Sequence, residues 1–247
     1  MRFIEKLNTP VATVVVLVLV LVVNGFLFYR YQQSLRSPAN FGAAAVEETM
    51  TTAGTTASEN TMERTEATAK FVHTAASRNV VNNSTYIEDP STLENPDAIL
   101  LVERISGPGG NAAANRPIGV WYDKYRGGRW AVFNQDLAPM PEGTTFDVRA
   151  WEEQGADVFV HRATSEAIEG NETYVDHPSL NENPEAVFSV TPNWNPGGGG
   201  AGTYVNAPVD TRYDAAKEKW AILREDLGPM PERAAFNVVV SEGAETR

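Results

Sequence analysis

The chain has 247 residues, carries 20 basic against 32 acidic side chains for a formal net charge of -12, and contains no cysteine. Disulfides, zinc–thiolate sites and thiol nucleophiles are therefore excluded. The acidic balance argues against a nucleic-acid partner, because phosphates are held by Lys and Arg.

Residues 1–10 read as a short cytoplasmic tail and 11–29 as a membrane-spanning helix. From Val11 to Phe28 runs VATVVVLVLVLVVNGFLF, without a charged side chain. Its 18 residues, at about 1.5 Å of rise each, span about 27 Å as a helix, close to the hydrocarbon thickness of a bilayer. The run exceeds the apolar core of a signal peptide and is followed by Tyr29, Arg30 and Tyr31 rather than by a small-x-small cleavage site, which favours an uncleaved anchor. Arg2 and Lys6 on one side against Arg30 and Arg36 on the other nearly balance. The very short N-terminal tail then sets the expected orientation, a single-pass protein of the cell membrane with its C-terminal part extracytoplasmic.

Residues 30–70 form the next expected segment, a Thr-, Ala- and Glu-rich stalk (EETMTTAGTTASENTMERTEATAK). It holds too little apolar surface to offset the entropy of ordering it, so disorder is predicted.

Beyond the stalk the sequence repeats itself. Phe71-Val72-His73 returns 88 residues later as Phe159-Val160-His161, and 15 of the 32 positions from 71–102 match those from 159–190. After small length differences the register becomes 90, where WAVFNQDLAPMPEGTTFDV from Trp130 answers WAILREDLGPMPERAAFNV from Trp220. This is an internal duplication, with copy one at 71–151, copy two at 157–241 and a tail at 242–247.

Within copy one, short runs rich in β-branched and aromatic residues predict strands at Lys70–Ala75, Thr85–Glu88, Ala98–Ile105, Ile118–Asp123, Arg129–Asn134 and Thr145–Trp151. The DKYRGG segment reads as a hairpin loop in which Gly127 and Gly128 supply positive φ. Asn-Pro and Met-Pro-Glu steps mark further turns. The expected class is all-β, two tandem small antiparallel sandwich- or barrel-like domains after a single transmembrane helix and a disordered stalk. Domains of this size without disulfides are marginal alone, so the copies are expected to share an interface across the short 152–157 linker.

Catalytic signatures are absent: there is no GxSxG elbow and no HExxH. No enzyme activity, cofactor or metal is expected. Asp123, Asp136, Asp214 and Asp226 invite a calcium reading, but calcium takes six to eight oxygens and no DxDxDG-like spacing is present, so solvated turn aspartates are the default. His73 and His161 read as core-edge residues, and His177 is replaced by Asp89 at the matching position of copy one, which argues against a duplicated metal site. Asn83 and Asn171 fall in N-x-Thr sequons but read first as turn formers. The Gly-rich segment Asn193–Tyr204 lacks the Gly-Lys-Ser/Thr ending of a phosphate loop and reads as a mobile hairpin or crossover loop.

Aromatic residues near the turns are the best candidates for a binding surface. Trp130 and Trp220 occupy matched strand positions and are assigned to the core. The candidate ligand-contacting residues are Trp194, Trp121, Tyr122, Asp123, Tyr213 and Asp214.

VTPNWNPGGGG, RPIGVWYDKYRGGRWAVFNQDLAPMPEG and the Met-Pro-Glu…Phe-Asn-Val ending resemble the motifs of an uncharacterised β-rich domain family found in exported microbial proteins. The resemblance covers both copies and implies the domain boundaries and surface exposure, with no established activity attached. Copy one departs at the NWNPGG segment, where Arg104–Gly110 reads RISGPGG; copy two departs at PIGVWYD, which reads PVDTRYD. A site needing both segments is therefore incomplete in either copy taken alone.

The expected function is that of a surface binding or adhesion module, tethered to the lipid bilayer through the Val11–Phe28 helix and meeting a glycan or protein at the cell surface. A self-associating structural envelope component is the alternative, and a carbohydrate-active hydrolase the second alternative.

Overall fold

A computed structural model of the chain describes residues 66–105 and 116–241. The expected membrane helix, the stalk up to residue 65, the Gly-rich loop of copy one at 106–115 and the tail at 242–247 lie outside the described residues. Among the described residues no helix is long and apolar enough to cross a membrane.

Among the described residues fourteen strands carry the fold, seven in each copy. Copy one contains β1 (Ala69–Thr74), β2 (Val80–Val81), β3 (Ser84–Tyr86), β4 (Ile99–Arg104), β5 (Ile118–Asp123), β6 (Arg129–Asn134) and β7 (Thr145–Trp151). Copy two repeats them as β8 (Val158–Arg162), β9 (Ile168–Glu169), β10 (Glu172–Tyr174), β11 (Val187–Pro192), β12 (Val209–Asp214), β13 (Lys219–Arg224) and β14 (Ala235–Ser241). Each copy forms two antiparallel sheets, ordered β1-β7-β4 and β2-β3-β6-β5 in the first and β8-β14-β11 and β9-β10-β13-β12 in the second. The fold is all-β. Of the six strands expected in copy one, the last three have the predicted limits and the first three differ by one or two residues at each end. The two-residue strand β2 is too short to show a period of two in the sequence.

Alternation of side chains across each strand explains the packing. Leu100 and Val102 of β4, with Phe146, Val148 and Ala150 of β7, turn inward onto Val120 and Tyr122 of β5 and Trp130 and Val132 of β6. Copy two encloses the same kind of core around Ile222, Met230, Phe236 and Val238. Trp130 is fully buried, and its indole N–H donates to the Asn95 carbonyl at 2.8 Å; Trp220 does the same to Asn183 at 2.8 Å. Each tryptophan thus fastens an Asn-Pro turn to its core. His73 and His161 bridge the two sheets of their copies by bonding Thr85 at 2.8 Å and Thr173 at 2.9 Å. Burial holds the His161 pKa down to about 4 and lowers that of His73, so both rings are neutral near pH 7.

The sequon asparagines are turn formers, as expected. Asn83 donates its amide to the Asn134 carbonyl at 2.9 Å, and Asn171 to the Arg224 carbonyl at 3.0 Å. Gly127 and Gly128 take φ of 72° and 61° in the β5–β6 loop.

The outward faces of β4 and β7 are not solvated throughout. Ile99, Leu101 and Trp151 pack on Val158 and Val239 of copy two, with Val160 beside them, forming a third apolar cluster between the copies. The Ile-Leu-Leu-Val run of β4 is uniformly apolar because both its faces are covered, one by its own core and the other by the second copy.

Candidate functional site

The segments at which the two copies differ meet at their seam. The backbone N–H of Trp194, in the second copy's NWNPGG segment, donates to the Val120 carbonyl of β5 at 2.8 Å, and Val120 and Asn193 form a parallel bridge. The Asn195 side chain then acts as a strand partner. Its carbonyl accepts from the Tyr122 N–H at 2.8 Å and its amide donates to the Tyr122 carbonyl at 2.9 Å. Deeper in the seam, Asn237 donates to the Leu100 carbonyl and accepts from the Asn193 amide, both at 2.9 Å. Gln135 closes the far side by accepting from the N–H groups of Val205 and Asn206 at 2.9 and 3.2 Å. The Gly-rich loop, expected as a mobile hairpin or crossover, is therefore fastened to copy one by hydrogen bonds to the peptide groups of Val120 and Tyr122. Its sequence shows no hydrophobic period because the holding is done by amide hydrogen bonds and by a few ring contacts at irregular spacing.

This docking assembles an aromatic cleft. Trp121 and Phe133 from copy one meet Trp194 and Tyr204 from copy two around a hollow of about 140 Å³, completed by Asn83 and Ser84. The Trp121 and Trp194 rings meet edge to face at 6.1 Å, Phe133 and Tyr204 at 5.8 Å, and Tyr204 leans on Trp194 at 5.8 Å. Trp121 donates to the Ser84 hydroxyl at 3.3 Å. The Trp194 indole N–H is buried without an acceptor. Such an orphaned donor costs about 1–3 kcal/mol and calls for an explanation. Tyr204 is 44 % exposed, which leaves the cleft open on that side.

Two of the six candidate residues, Trp121 and Trp194, thus share one site. The other four sit elsewhere with structural partners. Tyr122 points into the first core against Trp130, 5.5 Å away, and Tyr213 mirrors it against Trp220 at 5.5 Å. Asp123 accepts from the Tyr86 hydroxyl at 2.9 Å and from the Tyr125 N–H at 2.9 Å, closing a 3-10 turn. Asp214 mirrors it with Tyr174 at 3.0 Å and the Ala216 N–H at 2.9 Å. Burial, together with the bond to Asp123, pushes the Tyr86 hydroxyl well above the usual tyrosine range. The bond from Tyr174 holds the Asp214 carboxyl below the usual carboxylate range. Asp136 and Asp226 close turns of their own, accepting from Ala138 at 3.0 Å and Gly228 at 3.1 Å. Among the described residues no three His, Asp or Glu side chains stand close enough to hold a metal ion.

Sequence reasoning did not single out Phe133, Tyr204, Asn83 or Ser84 for the cleft. Phe133 had a signal: a large aromatic residue alternating opposite Trp130 and Val132 in RWAVFN stands on the outward face of its strand and needs cover there. A larger hollow of about 430 Å³ lies elsewhere in the seam, between Val102, Ile118, Pro192 and Val209. Aliphatic and proline side chains share its walls with Thr191, Arg116 and Glu225; Arg116 is paired with Asp136, and the hollow lacks the aromatic rings of the cleft.

No curated protein and no solved structure matches the chain. The model of one family, described as a domain of unknown function (DUF7452), matches residues 46–150 and again residues 125–240. The chain, a tandem of two such domains joined through the segments in which they differ, belongs to that family.

Proposed function

We propose that this protein is a membrane-tethered, extracytoplasmic binding module and that its ligand-contacting surface is the aromatic cleft at the seam. One observation carries the reading: aromatic rings from both copies, Trp121 and Phe133 of the first and Trp194 and Tyr204 of the second, line one open cleft. The cleft is lined by four aromatic rings, an amide and a hydroxyl, and by no charged side chain. That chemistry suits a neutral ring with both an apolar face and hydroxyl groups, a glycan residue above all. About 140 Å³ accommodates roughly one such ring. The reading as a hydrolase gains no support there, since glycoside hydrolysis needs two carboxyl groups about 5–10 Å apart and none lines the cleft.

The test is capture of immobilised glycans by the full-length protein in detergent, alongside Trp194→Ala and Trp121→Ala. Saturable binding that falls at least about tenfold in either variant is expected, as for an aromatic anchor at the centre of a binding site. Binding that both variants retain, or none on any glycan, overturns the reading. Protease access to the stalk in intact cells checks the orientation.

A further inference from the structure

The contact that joins the copies is not reciprocal: copy two supplies a loop and copy one supplies a strand edge. The donor is the Asn193–Gly198 turn. Beyond the bonds of Trp194 and Asn195 to β5, Gly198 sits at φ 67° directly over the Tyr122 ring. A Cβ there would lie 2.6 Å from that ring and 2.8 Å from Pro96, so only glycine permits this approach. On the acceptor, Gly119 leaves room for the Pro192 carbonyl, to which a Cβ would come within 3.0 Å. Trp121 offers its ring to Trp194.

Strand β12 stands in copy two where β5 stands in copy one, at the end of its sheet, and no described residue pairs with its outer edge. Much of the acceptor persists. Tyr213 replaces Tyr122 in kind, Pro184 stands for Pro96, and Glu225 stands for Gln135 with acceptor oxygens still available to two N–H groups. Two positions do not persist. Asp210 occupies the place of Gly119 and Arg212 the place of Trp121. A carboxylate where the donor's carbonyl must pass is repulsive as well as bulky. Arg212 is held by Glu172 at 2.6 Å and presents no ring to the donor's indole. Charges of this kind are how edge strands are protected from pairing.

We infer that the Asn-Trp-Asn-Pro-Gly turn is a docking element that reads a Gly-x-Trp-Tyr strand edge, and that β12 is the same acceptor silenced by Asp210 and Arg212. The surface fits one kind of partner, a polypeptide turn of that sequence presented by another domain of this type. The joint is heterologous, and a heterologous contact repeats without limit unless its free end is blocked; Asp210 and Arg212 block it after two domains.

The experiment titrates a labelled peptide of residues 190–206 into the full-length protein in detergent, as wild type, Asp210→Gly, Arg212→Trp and the double variant, following anisotropy and backbone amide shifts. The double variant should bind at least about tenfold more tightly than wild type, with each single change recovering part. The shifts should centre on Thr211 and Tyr213. The same peptide carrying Asn195→Ala should lose about tenfold, the effect of two neutral hydrogen bonds. A double variant that melts like wild type yet binds no more tightly overturns the inference. So does wild-type binding as tight as the variant's, or a gain whose shifts fall on β5.

Discussion

The two copies share a topology, a core and even their histidine bridges, yet their outer faces have opposite characters. Where β4 turns Ile99 and Leu101 outward, β11 turns Val187 and Ser189; where β7 ends in Trp151, β14 ends in Ser241. The reverse holds on the other contributing strands. Asn237 and Val239 of β14 face the seam, while their counterparts Asp147 and Arg149 face solvent. Where the copies meet, the outward positions are large and apolar (Ile99, Leu101, Trp151, Val239) or are amides whose bonds are satisfied across the seam (Asn237). The equivalent free positions are small or charged (Ser189, Ser241, Arg149, Asp147), with Val187 the exposed exception. Duplication produced one scaffold twice, and the divergence of a few outward positions turned a pair into a single joined unit. The lesson is that inward residues record the fold and outward residues record the partner.

The comparison is sharpest at β4. Leu101→Ala should destabilise the protein by about 2–5 kcal/mol in denaturant unfolding, because it opens a cavity in the cluster between the copies. The matching Ser189→Ala should stay within about 0.5 kcal/mol. Equal effects at the two positions would dissolve the asymmetry.

A second prediction concerns what the copies have in common. His161 and His73 are neutral in the fold and titrate near 6.5 when unfolded, so the unfolded chain binds more protons at mildly acid pH. The stability they confer is complete above about pH 6.5 and is lost as pH falls toward about 4, on the order of 3 kcal/mol for His161. Unfolding free energy measured across that window should flatten in His161→Gln, and an unchanged slope would remove the histidine from the account.

Asn237→Ala should cost about 1–3 kcal/mol, since it strips partners from the Leu100 carbonyl and the Asn193 amide inside the seam. The exposed counterpart should tolerate Asp147→Ala within about 0.5 kcal/mol.

The smallest expected effect is a gain. Leu137 and Leu227 occupy matched turn tips at φ 62° and 59°, exposed by 63 % and 78 %. Leu→Gly relieves the left-handed strain at a smaller entropic cost, so each should raise the unfolding free energy slightly, by about 0.5 kcal/mol in denaturant titration. A loss at only one of them would show that its leucine is packed after all.

Much of this was legible in the residues. The repeat at 88 and then 90 residues exposed the two domains. The β-branched runs bounded by Asn, Gly and Pro placed all of the longer strands of copy one, and the matched Trp130 and Trp220 announced the cores. The segments in which the copies depart, NWNPGG and PIGVWYD, were visible as well. Strands β2 and β9 were not, because two residues carry no periodicity.

What the chain order by itself determined is the inward pattern, since alternation along a strand is a local property. That the intact NWNPGG of copy two lands on the intact GVWYD of copy one was decided only in three dimensions. Trp194 and Trp121 stand far apart in sequence, and neither the side-chain amides that bracket Tyr122 nor the ring that fills out the cleft leaves a periodic trace. A site that looked incomplete in each copy is completed across the seam, because each copy keeps intact the one segment that the other needs.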